Sequence, residues 1–248
     1  MDLNADLAER GDPTGWEADA RLLEVVTTAN VACGGHAGDE ETMRRACAAA
    51  AGLGVRVGAH PGYSDTATFG RVELDLPVDE VVAQVGSQLT ALEAVAATEG
   101  AALTHVKPHG ALYHRAAVDR ELAAALAGLV ASVDPSLAVL TQPGSMLAAE
   151  ARALGLTAAS EGFADRAYDR NGRLVPRDEP GSMLLAAAAV DQALLLAREG
   201  RVVSADGEEV AVSADSICVH GDTPDSVELA RAVRAALEGE GLAVGPFA

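Results

Sequence analysis

The chain has 248 residues, 49% of them hydrophobic and 3% aromatic, and a formal net charge of -19. The length suits one large domain with a full core, and a surface this acidic repels phosphate backbones and anionic lipid, which excludes nucleic-acid and membrane partners. Three cysteines without a CxxC pair, an N-terminal "MDLNADLAERGD" with no apolar stretch, and no apolar run of the ~18 residues a membrane helix needs lead to the expectation of a reducing, cytoplasmic setting.

The first strand lies at "MDLNA". Asp2, Asn4 and Asp6 recur every second residue, so they share one strand face. Two carboxylates on an inner face need a cation, a hydrogen-bond network or a raised pKa. Residues 27–33, "TTANVAC", read as the second strand, and 39–53 as a helix capped by Asp39. Met43, Ala46, Cys47 and Ala50 fall on one apolar face of it, which places Cys47 in the core. "NVACGGHAGDE" sets Gly34, Gly35 and Gly38 before that helix, a pattern able to bind an anion through backbone N–H groups, with His36 alongside. Cys33 is read as buried rather than nucleophilic. "VRVGAH" (55–60) is the third strand and ends at His60, a candidate acid or base. Residues 78–96 carry valines and leucines at helical spacing.

"LTHVK" (103–107) is the fourth strand and ends at Lys107, the only lysine of the chain. Pro108 cannot continue a ladder, so the strand stops there and Gly110 turns the chain. Lys107 and His109 therefore stand at a strand terminus, and His105 faces the interior as a core group. An ammonium there suits a carbonyl oxygen, phosphate or carboxylate, or neutralises Asp2 or Asp6. His114 falls on a surface helix. Helix 118–132, strand 137–140, helix 144–154 and strand 157–160 follow. A polar insertion, 164–180, turns at Asn171-Gly172. The stretch 161–177 holds four of the 17 arginines, with Arg166 nearest the strand end. Helix 181–198, a hairpin over 201–213 turning at Asp206-Gly207, strand 216–220 and helix 224–238 complete the chain.

Strand–helix alternation implies a parallel sheet. Nearly every strand ends in polar or reactive types: Asn4 and Asp6, Asn30 and His36, His60, Lys107 and His109, Gln142, Glu161 and Asp165, His220 and Asp222. An open sheet feeds its crevice from two or three strands, whereas a barrel gathers all strand ends at one mouth. The expectation is one α/β barrel domain over 1–248 with seven strand–helix units and a β-hairpin insertion near the C-terminus. GxSxG, HExxH and the P-loop pattern are absent from the sequence. Several His and Asp residues at the mouth would suit one divalent metal, with no spacing that fixes the ligands.

The stretches "DLNADLAE", "ANVACGGHAGD", "GAHPGYSD", "FGR", "HVKPHGALYH", "EGFADRAY", "LVPR" and "ICVHGDTP" resemble, in order, the LamB/YcsF family, which includes the A subunits of bacterial 5-oxoprolinase. Ala8, where the family has glycine, and Gly35, where it has an aromatic, depart from the pattern. The resemblance implies an incomplete, TIM-like (β/α)7 barrel related to carbohydrate-deacetylase folds. It also implies action with subunits B and C in cleaving 5-oxo-L-proline to L-glutamate, with ATP, and Mg2+ beside it, as co-substrate. The motif residues it marks are Asn4, Asp6, Glu9, Asn30, His36, Asp39, His60, Lys107, His109, Glu161, Asp165, Arg166, His220 and Asp222. Asp6, His60, Lys107 and His109 are the expected catalytic groups: Asp6 or His60 as base, His109 as acid, Lys107 and Arg166 on the anions. The other ten are expected to bind substrate or phosphate. Two further readings stand beside this one. The first is a stand-alone metal-dependent amidohydrolase or deacetylase, its ion on Asp6 and two of His36, His60, His109 and His220. The second is a non-catalytic subunit that presents substrate.

Overall fold

A computed structural model describes residues 1–221 and 225–247. Asp222 lies outside the described residues. The chain alternates strand and helix from its start: β1 (Asp2–Leu7), α1 (Pro13–Leu23), β2 (Thr28–Ala32), α2 (Glu40–Leu53), β3 (Arg56–His60), α3 (Val78–Thr98), β4 (Leu103–Val106), α4 (Gly110–Val118), α5 (Arg120–Val133), β5 (Ala138–Thr141), α6 (Met146–Ala153), β6 (Ala158–Phe163) and α7 (Ala186–Glu199). The hairpin strands β7 (Arg201–Val203) and β8 (Glu209–Ala211) precede β9 (Ser216–Val219) and α8 (Ser226–Gly239).

Strands β1 to β6 and β9 form a closed parallel barrel. Closure is made by β9, whose Ser216 is in register with Asp2 of β1 on one side and Glu161 of β6 on the other. The expected seven-stranded α/β barrel is what the chain forms, and β7 pairs with β8 in a separate two-stranded sheet, as the Asp206-Gly207 turn requires. Side-chain alternation divides each strand. On β1, Leu3, Ala5 and Leu7 belong to the buried apolar layer, while Asp2, Asn4 and Asp6 turn into the barrel.

Helix α1 has no counterpart among the expected segments, whereas α4 is the helix on which His114 was expected. α1 starts at the pair Asp12-Pro13: Asp12 accepts from the Gly15 N–H at 2.8 Å, and Pro13 occupies the first turn, where no N–H is needed. α4 follows directly from Gly110, whose φ of 56° makes the expected turn before the chain coils. A Cβ at Gly110 would lie 2.5 Å from the Gly70 carbonyl, so this turn admits only glycine. α7 begins at Ala186 rather than 181, and β6 continues to Phe163 rather than stopping at 160. Among the described residues, no helix is long and apolar enough to cross a membrane.

Candidate active site

The barrel interior is polar, unlike the Val-, Ile- and Leu-filled layers usual in such barrels. At the bottom, Asp2 accepts from Thr28 at 2.6 Å and from Ser216. Burial raises its pKa and these hydrogen bonds oppose the rise, so Asp2 is answered by a network rather than a cation. Above it, Asn4 donates to Ser216 at 2.6 Å and accepts from Asn30 at 2.7 Å. Asn30 also donates to Asp6 at 2.9 Å and lies 2.8 Å from His105 Nε2. Asn4, Asn30 and His105 are 0% exposed, so they support the groups above instead of meeting a ligand. Burial pushes His105 down to about 3, which leaves it neutral, the core role expected of it. Its ring has space because β3 carries Gly58 opposite, where a Cβ would stand 2.0 Å from the imidazole.

At the top, Asp6 finds its cation. Lys107 Nζ lies 2.7 Å from Asp6 Oδ1, 2.8 Å from Glu161 Oε1 and 3.4 Å from Cys218 Sγ. Asp6 and Cys218 accept hydrogen bonds from this ammonium, and Glu161 stands at ion-pair distance. Burial opposes the charge on Lys107, but Asp6 beside it holds its pKa well above the usual value. Burial likewise raises Asp6, yet His60 and Lys107 together hold it well below the carboxylate range. Of the roles read for Lys107, the geometry matches the neutralising one: it pairs with Asp6, and with Glu161 besides. Cys218 and Cys33 are pushed up by burial, Cys33 to about 12, so neither is a thiolate nucleophile.

His60 and His109 meet edge to edge. His60 Nδ1 lies 2.8 Å from the Lys107 carbonyl, and His109 Nε2 lies 2.9 Å from the Phe69 carbonyl. A carbonyl only accepts, so both of those nitrogens carry the proton. The remaining two, His60 Nε2 and His109 Nδ1, face each other at 2.9 Å. Two lone pairs at that distance repel unless a cation lies between them, and one shared proton satisfies both. Asp6 Oδ2, 3.4 Å from His60 Nε2, and Glu9 Oε1, 3.5 Å from His109 Nδ1, balance that charge. Burial and the neighbouring His60 hold His109 well below its usual pKa. Phe69 keeps its carbonyl in place at a φ of 58°, a left-handed conformation uncommon for an aromatic residue.

His36 stacks on His109 with ring centroids 3.5 Å apart and planes 3° from parallel, and its Nε2 is 3.2 Å from Glu9. Burial pushes it down to about 2, so it is a neutral platform. The loop before it does not form the expected anion site at α2, because Asp39, exposed and accepting from the Thr42 N–H at 2.8 Å, itself caps that helix. Asp39 is therefore not brought to the site. The two departures from the family pattern have local explanations. Ala8 sits at a φ of 61°, the conformation that favours glycine. Gly35 leaves room that Gln88 fills: a Cβ there would be 2.3 Å from Gln88 Oε1, whose amide clasps both the N–H and the carbonyl of Gly62.

Opposite the histidine pair, Asp165 accepts from His220 Nδ1 at 2.8 Å and from the His220 backbone N–H at 3.2 Å. Burial raises Asp165, and His220 brings it below its usual value. Asp6, His60, Lys107, His109, Arg166 and His220 all line one cavity of about 750 Å3 at the C-terminal end of the strands. Glu9, His36, Glu161 and Asp165 stand behind these. His114, expected on a surface helix, is exposed on α4 and reaches the cavity wall. Sequence reasoning passed over Arg71, Tyr113, Phe163 and Arg177, which line it too. The quoted "FGR" and "LVPR" stretches contained the two arginines without any spacing to single them out.

A metal was expected as a possibility, and Glu9, His36, His60 and His109 each offer a ligand atom within 4.8 Å of the others. Imidazole lone pairs lie in the ring plane. An ion midway between the parallel His36 and His109 rings would sit well out of both planes, so those two cannot bind one ion together. His60 Nε2, His109 Nδ1 and Glu9 do suit one, since each histidine's other N–H is already held by a backbone carbonyl.

The LamB/YcsF family pattern matches residues 1–248. The chain belongs to the LamB/YcsF family. A Streptomyces coelicolor protein named as the A subunit of 5-oxoprolinase is 49% identical over 249 residues, with 100% of both chains covered. One of the same name from Nocardia farcinica is 47% identical over 247 residues, covering 100% of this chain and 99% of its own. The crystal structure of a lactam utilization protein from Thermus thermophilus superposes with a TM-score of 0.91 at 45% identity, covering 99% of this chain and 98% of that one.

Proposed function

We propose that this LamB/YcsF chain is the A subunit of a cytoplasmic 5-oxoprolinase that works with subunits B and C. The reaction opens the ring of 5-oxo-L-proline to L-glutamate while ATP becomes ADP and phosphate. The observation that carries this reading is the placement of two proton-handling units, His60–His109 and Asp165–His220, across one cavity, in a chain similar end to end to proteins bearing that name.

A five-membered lactam keeps its amide resonance, whose worth is indicated by the ~18–20 kcal/mol barrier to amide rotation. Transfer of a phosphoryl group from ATP to the carbonyl oxygen removes that resonance. Water then adds to the carbon and gives its proton to His220, whose ring Asp165 orients. The proton shared by His60 and His109 passes to the ring nitrogen as the C–N bond breaks, leaving an acyl phosphate and a free amine. A second water releases phosphate, so two waters are consumed per ATP. Asp6, held well below the usual carboxylate range, is too weak a base for the first role. It keeps Lys107 and His60 in place instead. The phosphoryl donor is proposed to bind with the partner subunits, because this sequence has no P-loop pattern.

A mixture of this chain with subunits B and C, 5-oxo-L-proline and ATP should release glutamate, and omission of any one of the three should stop it. Glutamate from this chain alone, without ATP, would sink the reading.

The facing lone pairs of His60 and His109 beside Glu9 favour a second reading, a metal-assisted amide hydrolase. Those three residues would hold the ion, which would supply Lewis-acid polarisation of the carbonyl. Metal analysis of protein purified without added metal discriminates: a stoichiometric divalent ion supports this second reading, and its absence together with full ATP-dependent turnover removes it.

A further inference from the structure

The floor of the cavity is a poor place for an anion. Asp6 lines it, with Glu161 and Asp165 buried behind, against one ammonium, and that ammonium is held by Asp6, Glu161 and Cys218. A ligand carrying a carboxylate or phosphoryl group must find its positive partner elsewhere. Three guanidinium groups line the same cavity: Arg71 after the Phe69–Gly70 turn, Arg166 just beyond β6, and Arg177 from the polar insertion before α7. One carboxylate, Asp178, lines it beside them. In a chain with 37 acidic and 18 basic residues, this concentration of arginine runs against the composition.

Arg166 adds an observation of its own. Its Nη2 donates to the Val175 carbonyl at 2.6 Å, which anchors the side chain across the insertion. The residue is 5% exposed, and among the described residues its Nε has no hydrogen-bond partner. A buried donor left unmade is costly, and an oxygen of a bound ligand would satisfy it. Burial, with the charges of Arg177 and then Arg71 near it, depresses the Arg166 pKa, so the three reinforce one positive field. Val72, Leu174 and Pro176 lie among them and offer apolar surface to a small ring.

We infer that Arg71, Arg166 and Arg177 form an oxyanion-binding rim that takes the carboxylate or phosphoryl group of the substrate and so holds its ring between His60–His109 and His220. A planar guanidinium fork pairs with either group. The identity of the ligand as a cyclic amide acid rests on the oxoprolinase reading above, whereas oxyanion recognition does not.

The test is calorimetric titration of the intact chain with 5-oxo-L-proline, with 2-pyrrolidinone, which is the same lactam without the carboxylate, and with inorganic phosphate. Arg71→Gln and Arg177→Gln are used because neither residue is fully buried. Each should weaken anion binding about tenfold or more while leaving 2-pyrrolidinone unaffected, as loss of a hydrogen bond to a charged group does. If 5-oxo-L-proline is the affected ligand, the carboxylate is the bound group; if only phosphate is affected, the phosphoryl group is. In the assembled enzyme the same variants should raise KM for 5-oxo-L-proline more than they lower kcat. Unchanged binding of both 5-oxo-L-proline and phosphate in both variants, or no binding of either anion, overturns the rim. Arginine-dependent anion binding by a chain that yields no glutamate with subunits B and C would instead retain the rim and remove the oxoprolinase reading.

Discussion

Lys107 is enclosed by two carboxylates and a sulfur, and its removal strands Asp6 and Glu161 without a cation. Breaking a buried pair from one side costs about 3–5 kcal/mol, because the remaining charge is uncompensated. Lys107→Met is therefore expected to lower the urea midpoint strongly, and Lys107→Met with Glu161→Gln should recover part of that loss by removing one of the stranded charges. Equal stability of the single and double variants would deny the pairing. Asp19 makes a second residue-scale prediction. Burial lifts its carboxyl to about 7 despite the hydrogen bond from the Ala8 N–H, and the nearby Glu9 charge adds to the rise. In the unfolded chain the same group titrates near about 3.9. Between those values the folded state binds more protons, so this group's contribution is fully present below about pH 4 and is lost as pH rises through about 7. Asp19→Asn retains an acceptor for Ala8 and removes the titration. The stability difference between about pH 5 and about pH 8 should then shrink, measured by urea unfolding at each pH.

At the scale of elements, the inward row of β1 was legible because alternation by two leaves no choice once one face is apolar. The sequence set the terms, a cation or a network for each carboxylate, and the molecule uses the network for Asp2 and the cation for Asp6. The capping pair Asp12-Pro13 was equally plain in the text but α1 was missed, because its apolar face is short. Its buried positions are Gly15, Asp19, Leu22 and Leu23. The cap read at Asp39 is the one α2 has, and its spacing to Thr42 makes it a capping box; the resemblance alone assigned Asp39 to the site. The convergence of Arg71 and Arg177 was not legible. They arrive from two irregular segments whose paths depend on contacts remote in sequence, such as the Gln88 clasp on Gly62. Strand pairing yields a test here. Gly58 is in register with His105 across β3 and β4, and a methyl group would enter the His105 ring. Gly58→Ala should cost about 1–3 kcal/mol as overpacking. Gly58→Ala with His105→Ala should be less destabilised than the sum of the two single changes, and strict additivity in a double-mutant cycle would show that the ring is not what Gly58 accommodates.

Over the whole molecule, the two ends of the barrel have separate tasks. The C-terminal ends of the strands hold the cavity and every proton-handling group described. The N-terminal ends are crossed by the segment after α8, where the Met1 nitrogen donates to the Ala243 carbonyl at 2.8 Å and the Gly245 N–H donates to the Met1 carbonyl at 3.0 Å. Leu242 and Val244 pack against the core, and the Phe247 ring meets His105 with centroids 5.3 Å apart. Phe247 thus closes from below the polar column that reaches Asp6 from beneath: His105 holds Asn30, and Asn30 holds Asp6. Barrel enzymes place stability at this end and chemistry at the other, and the division can be measured here. Phe247 is only partly buried, so Phe247→Ala should cost about 1 kcal/mol, below the figure for a fully buried aromatic. If the column is held chiefly by its own hydrogen bonds, anion binding at the arginine rim should stay at the wild-type level in that variant while the urea midpoint falls. A loss of anion binding matching that of Arg177→Gln would mean instead that the closure beneath His105 sets the position of Asp6, and that the two ends are coupled through Asn30.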